Sequence, residues 1–275
     1  MTLKEFFDSE KIYEVSLIPF EKAVITDPRR AERLFRDFDC KAVVTFLIPY
    51  YVKGVEKANI SRYAFAEDYH FYFKELSERL EKAFPHHFRS ACDTSPINEV
   101  GAAVKSGLGS IGKHGLLINK RYGSFVFVAE FFSDLPLSSP VFSGIEEGQE
   151  GQFCRGCNAC VRACPTGGIE DKTRCLSFIN QKKRLEGSDE EIIKNSGMVW
   201  GCDVCQEVCP ENEKAEETEI PFFKRSLTPV LNVKILDKLI EEGTFSRRAY
   251  AWRGESTVRR NAKIITGEKS ELPKN

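Results

Sequence analysis

Cys154-Arg-Gly-Cys157-Asn-Ala-Cys160-Val-Arg-Ala-Cys164-Pro165 opens a segment that runs on through Cys175 to Cys202-Asp-Val-Cys205-Gln-Glu-Val-Cys209-Pro210. In a bacterial ferredoxin run, four thiolates hold each four-iron (4Fe-4S) cluster, and the fourth cysteine of a run ligates the other cluster. The second run is split here, with its first ligand displaced upstream to Cys175. Matching positions assigns Cys154, Cys157, Cys160 and Cys209 to cluster I, and Cys164, Cys175, Cys202 and Cys205 to cluster II. The eight positions are used up with none left over, so the chain is expected to move electrons.

Other readings of the cysteines account for less. Paired Cys-x2-Cys motifs often mean zinc, but two zinc sites need neither three cysteines at x2 spacing nor Cys-Pro twice. A disulfide framework belongs to small secreted chains, whereas this chain has 275 residues. A radical-SAM site requires Cys-x3-Cys-x2-Cys, and neither Cys160/Cys164 nor Cys205/Cys209 is followed by the third cysteine. Cys40 and Cys92 lie outside the scheme and read as buried thiols.

The length corresponds to about two domains, and a hydrophobic content of 41% allows a sizeable core. A net charge of −1 points neither to general nucleic-acid binding nor to a membrane surface. The start, Met1-Thr2-Leu3-Lys4-Glu5, lacks the apolar core of an export signal. No apolar run approaches membrane-span length, so the expectation is a soluble protein of the reducing cytoplasm, without a membrane partner.

Upstream of the cysteines the pattern is α+β. Asp27-Pro28 reads as an N-cap with proline at the first helical position, opening a helix over 28–38. Residues 41–48 and 124–132 read as buried strands and 67–84 as an amphipathic helix. Ser95-Pro96 reads as a second N-cap, with a helix to about Ser106. Residues 135–152, rich in Pro, Ser and Gly, read as a linker. Ser188-Asp-Glu-Glu191 reads as a capping box for a helix over 188–196. The expected organisation is a domain over 1–145, the cluster domain over 146–222, and a basic helical segment over 223–275. Arg247, Arg248, Arg253, Arg259 and Arg260 crowd that last segment.

A bare two-cluster carrier needs only the cysteine segment, so the upstream domain suggests a redox site fed by the clusters. Gly107-Leu-Gly109-Ser-Ile-Gly112 satisfies the dinucleotide fingerprint literally. That loop must follow a strand and open a helix; here it follows the helix begun at Pro96 and leads to a strand. The glycines instead suggest close approach to a flat ligand or another chain segment, or a helix C-cap.

Four motifs then occur in order. Arg62-Tyr63-Ala64, closely followed by Asp68-Tyr69-His70, is the first; Asp93-Thr94-Ser95-Pro96 is the second. The glycine loop from Gly107 to His114 and the split cysteines complete the series. With them the sequence resembles the epoxyqueuosine reductases, from about residue 40 to about residue 223, with an echo at Arg259-Arg260-Asn261-Ala262. The resemblance implies a nitroreductase-like cobalamin-binding domain joined to a split ferredoxin domain. It implies cobalamin bound between the two near cluster II, an external ferredoxin- or flavodoxin-type donor, and epoxyqueuosine in tRNA as substrate. It makes Asp93 the proton donor and places Asp93, Lys113, His114, Ser177, Cys202 and Asp203 at the cofactor. The Asp-x-His-x-x-Gly signature of a cobalt-ligating histidine is absent, so His70, His86, His87 and His114 are not expected on cobalt. Longer family members continue into a helical-repeat module that helps grip tRNA, and the present sequence ends at Asn275.

Each of these residues also has a plainer role. Asp93 just before a helix N-cap should be ionised by the dipole, whereas a donor at neutral pH needs desolvation; it could simply satisfy turn N–H groups. Lys113 and His114 could be surface residues, and Ser177 and Asp203 could hydrogen-bond around the cluster. Tyr69 and His70 read as packing residues. The C-terminal arginines could meet tRNA phosphates or form a solvated face. A cobalamin-dependent reductase of a small molecule, dehalogenase-like, and a non-catalytic electron carrier remain the alternatives.

Overall fold

Val15–Pro19 (β1), Ala42–Pro49 (β2), Val126–Ser133 (β6) and Phe88–Cys92 (β3) form one sheet in the order β1-β2-β6-β3, antiparallel throughout. The structure is a computed structural model and describes residues 1–146 and 148–267. The chain falls into two compact units. The first comprises Met1–Tyr51, His70–Cys157 and Lys214–Ile220; the second comprises Val52–Tyr69, Asn158–Glu213 and the residues from Pro221 onward. The division cuts the cysteine run between Cys157 and Asn158.

In the first unit β2 is buried along its whole length, because both faces of the sheet are covered. Such burial explains its unbroken apolar sequence, which lacks the alternation of a half-exposed strand. One face is aromatic. Phe7 of helix α1 (Leu3–Ser9) lies 4.8 Å from Phe46 and Phe46 lies 4.6 Å from Phe131, ring centre to ring centre. Phe73 of α3 (Tyr69–Ala83) extends the stack. The opposite face is mixed aliphatic and aromatic and packs against α4 (Glu99–Lys105), where Val43, Ala91, Phe132 and Ala102 form one cluster and Leu47 and Ala103 another. Helix α2 (Pro28–Leu34) is N-capped by Asp27 with proline at its start. A small hairpin, Ser110–Ile111 (β4) with Leu117–Ile118 (β5), follows α4.

Several local expectations shift. Helix α2 ends at Leu34 rather than near 38. The second N-cap is Asn98, whose side chain accepts from Gly101 N at 2.9 Å, not Ser95. A β-bridge between Ile25 and Ile97 keeps the chain extended there, so α4 begins later. Residues 135–152, expected as a linker, lie in the first unit, where Phe142 is buried against Phe88 and Ser16 Oγ donates to Glu146 O at 2.7 Å.

The second unit is built from short helices: Ala159–Ala163 (α5), Leu176–Ile179 (α6), Asp189–Ser196 (α7), Val204–Glu207 (α8), Val233–Glu241 (α9) and Glu255–Thr266 (α10). Ile60, Phe65, Trp200, Leu236, Tyr250 and Val258 form its apolar core. The capping box at Ser188 is not made. Ser188 has near-helical backbone angles, and Asp189 instead accepts from Lys182 Nζ and Glu186 N, each at 2.9 Å. The end of the basic segment, 268–275, lies outside the described residues.

Candidate functional site

All four cysteines assigned to cluster II lie in the second unit. Cys164 ends α5, where Pro165 stops further helix. Cys175 caps α6 after a short turn held by Asp171, which accepts from Thr173 N at 3.0 Å. Cys202 precedes α8, Cys205 lies within it and Cys209 follows it. Gly168 joins two of the ligands. Its N–H points at Cys164 Sγ, 3.1 Å away, and a Cβ on it would stand 2.4 Å from Cys175 Cα. Only glycine lets these two cysteines approach.

Charge effects report the same grouping. Burial pushes the Cys202 thiol up to about 11, with Cys175 and Cys164 among the groups acting on it. Burial pushes Cys205 up to about 12, with Cys202, Cys175 and Cys160 adding to it. Burial also acts to raise Cys164, but N–H groups of Thr166, Ile169 and Gly168 outweigh it and hold its pKa down. Buried thiols do not ionise unaided; bound iron supplies the positive charge that deprotonates them. The donor set therefore fits clusters, with thiolate ligands and N–H···S bonds of the kind that tune potential. Among the described residues no three Cys, His, Asp or Glu side chains converge on a single metal ion. Of the cluster I cysteines, Cys154 and Cys157 lie in the first unit and Cys160 and Cys209 in the second.

The loop carrying Cys202 is braced from the upstream motif. Asp203, 5% exposed, accepts from Ser61 Oγ at 2.5 Å, Arg62 N at 2.6 Å and Gln206 Nε2 at 2.9 Å. Burial raises its pKa, with the first two of those bonds opposing. Tyr63 Oη accepts from the indole N–H of Trp200 at 2.7 Å. Asn261 Nδ2 donates to Asn180 O at 2.6 Å and Val199 O at 2.9 Å, and Asn180 Nδ2 donates to Gly201 O at 2.8 Å. Arg260 donates to Lys182 O and Lys183 O, and Arg247 pairs with Glu67. These two C-terminal arginines are thus engaged within the unit. Ser177 Oγ, half-buried, accepts from Gln181 Nε2 at 3.1 Å.

Asp93 occupies the turn between β3 and α4 in the left-handed region, φ 58°, and is exposed. It stands five residues before the Asn98 cap, beyond the first-turn reach of the helix dipole. The helix dipole therefore has little hold on it. Glu99, in the first turn of α4, lies beside the backbone N–H groups of Asp93 and Ser95, and its Oε1 is buried without a hydrogen-bond partner. Glu130 of β6 lies close to Glu99, Ser95 and Asp93. Sequence reasoning passed over Glu99 and Glu130, although an acid inside the apolar run of β6 was the visible signal.

In the glycine loop, Gly107 has φ 77°, and a Cβ on it would lie 2.7 Å from Gly148 backbone. Its approach is thus to another chain segment, and the loop leads from α4 into β4, the reverse of a dinucleotide loop. Lys113 is exposed. His114 accepts from Leu116 N through Nδ1 at 3.1 Å, while its Nε2 is buried without a partner, and burial lowers its pKa. Cys40 is partly buried and Cys92 buried; burial pushes Cys40 up to about 12.

Residues 153–212 match the family described as a 4Fe-4S double cluster binding domain. The chain is in this respect an iron–sulfur protein with two clusters. It is 33% identical over 263 residues to an epoxyqueuosine reductase of Lactococcus garvieae, covering 86% of this chain and 72% of that one. Against the epoxyqueuosine reductase of Leadbetterella byssophila it is 36% identical over 206 residues, covering 70% and 65% respectively. The chain belongs to the epoxyqueuosine reductase family. It spans about two thirds to three quarters of the length of these relatives. Its fold is that of the epoxyqueuosine reductase from Streptococcus thermophilus, with TM-score 0.70, 23% identity, and 96% of this chain and 80% of that one covered. It is similarly close to an epoxyqueuosine reductase solved with an epoxyqueuosine-modified tRNA-Tyr stem loop, with TM-score 0.72, 22% identity and the same coverage. Among the described residues no helix is long and apolar enough to cross a membrane.

Proposed function

We propose that this chain reduces epoxyqueuosine in tRNA to queuosine, using two four-iron clusters and cobalamin. The observation that carries the reading is that one chain of this family holds both a complete double-cluster ligand set and an exposed acid, Asp93, on a turn beside Glu99. In this reading the first unit is nitroreductase-like and binds the corrin. The buried, unpartnered Nε2 of His114 and the exposed side chains of Ile111 and Leu116 suit a flat, partly apolar ligand bearing amides. Cobalamin supplies, when bound, a strongly reducing cobalt centre.

The remaining roles belong to the chain. Asp93 holds a proton on its carboxyl and delivers it to the epoxide oxygen. Lys113 and His114 bind corrin amides, and Ser177 and the Cys202–Asp203 backbone border the cofactor. The Asp203 side chain is held by Ser61 and Arg62, so it acts by fixing the loop. An external ferredoxin- or flavodoxin-type donor feeds the clusters, and tRNA is the partner.

Anaerobically reconstituted protein should retain corrinoid through gel filtration and convert an epoxyqueuosine-bearing tRNA stem loop to queuosine. Asp93→Asn should lower turnover by about a hundredfold or more, the usual worth of a general acid, with iron and corrinoid content unchanged. Failure to bind corrinoid, or full activity in Asp93→Asn, contradicts the reading.

A further inference from the structure

Glu130 is an acid where the fold has no use for one. It lies in the middle of β6, directly opposite Thr45 on β2 and Ala91 on β3. Directly opposed residues share a sheet face, and this one packs against α4. Glu130 is 0% exposed, and neither carboxyl oxygen makes a hydrogen bond of full geometry; Thr45 Oγ1 is also buried without a partner. The polar groups within its reach are the Ser95 hydroxyl and the Glu99 carboxyl, and the charged neighbours acting on it, Glu99 and Asp93, are themselves acids. Asp93, on the neighbouring turn, is close enough to act electrostatically on both, while Thr45 stands opposite Glu130 on β2 and Ala91 on β3.

Two neighbouring carboxylates in an apolar layer cannot both be ionised. Burial accordingly pushes Glu99 up to about 7 and Glu130 well above the usual carboxylate range. Replacing such buried polar groups by apolar ones is often neutral or stabilising, so packing alone gives no reason for the pair. The reaction gives one. Removing an epoxide oxygen as water, to leave an alkene, consumes two electrons and two protons. One carboxylic acid at Asp93 carries one proton.

We propose that Glu99 stores the second proton and hands it to Asp93, with the buried Glu130 carboxyl as the neutral hydrogen-bonding partner that Glu99 leaves behind. The proposal rests on the reductase reading above. Asp93 gives its proton to the epoxide oxygen as a C–O bond breaks and becomes a carboxylate. Glu99 then transfers its own proton to Asp93 and becomes the carboxylate, to which Glu130 O–H donates. Asp93 gives this second proton to the departing oxygen, which leaves as water as the other C–O bond breaks. The two electrons arrive from the clusters, and once the product has left, solvent refills both acids through Asp93. Glu99 and Glu130 thus act through Asp93 and are positioning residues.

The test has two arms. Infrared spectra of the full chain labelled with carboxyl-13C glutamate should show a protonated-glutamate band that disappears as pH rises through about 7 and is missing in Glu99→Gln. In the tRNA stem-loop assay, Glu99→Gln should lower kcat by at least about tenfold, at the low end of general acid–base effects, with KM unchanged. It should also lose the fall in rate above neutral pH. Glu130→Gln, which keeps a neutral donor, should stay within about threefold of wild type, whereas Glu130→Leu should fall to the level of Glu99→Gln. A wild type that reduces the epoxide but lacks the titrating band overturns the proposal, as does a Glu99→Gln variant with wild-type rate and pH profile. A wild type that shows the band yet leaves the epoxide intact overturns the reductase reading, and the proposal with it.

Discussion

Because burial holds Glu99 up at about 7, the folded chain binds more protons than the unfolded chain between the ordinary carboxylate value of 4.5 and neutrality. Stability from this group is therefore fully present below that window and lost as pH rises through it. The slope is about 1.4 kcal/mol per pH unit for each proton involved. Urea unfolding followed by circular dichroism should show wild type losing stability relative to Glu99→Gln between about pH 5 and pH 7.5; a difference independent of pH would mean that Glu99 titrates normally. At Gly168 the constraint is steric. Gly168→Ala places a Cβ against Cys175, so iron analysis should fall from about eight atoms per chain to about four, one cluster's worth. An unchanged iron content in the variant would show that Cys164 and Cys175 need not approach.

Among the elements, the loop before α8 depends on partners far away in sequence. Trp200 is fully buried and its indole N–H is satisfied by Tyr63, 137 residues upstream. Tyr63→Phe leaves that donor unsatisfied and should cost about 1–3 kcal/mol in unfolding measurements; no change would show that the bond is not needed. These long connections mark the limit of what the sequence discloses. The cluster ligands were readable because thiol spacing is local and iron tolerates few alternatives. Strand β2 was readable because both its faces are buried, and β6 because most of it is. The Ser61–Asp203 bond spans 142 residues, and spacing says nothing of such pairs. The α4 cap was misplaced because a bridge to Ile25, made far upstream, keeps Ile97 extended. Asp93 was reached by resemblance, while Glu99 and Glu130 escaped because a helix first turn and a strand centre meet only after folding.

For the whole molecule, the proposed reduction draws electrons from the cluster segment and protons from the acid-bearing unit. Each half has plainer uses alone, and the reductase reading needs both in one chain. Cys175, the displaced ligand, is a residue at which the electron path can be cut without touching Asp93 or Glu99. The decisive measurement is nucleoside analysis of an epoxyqueuosine tRNA stem loop after anaerobic incubation with reductant, cobalamin and either wild type or Cys175→Ser. Wild type should yield a nucleoside lighter by one oxygen atom, and Cys175→Ser should leave the epoxide unchanged. Equal conversion by both would take the split cysteine pattern out of the electron path; no conversion by wild type would contradict the reaction itself.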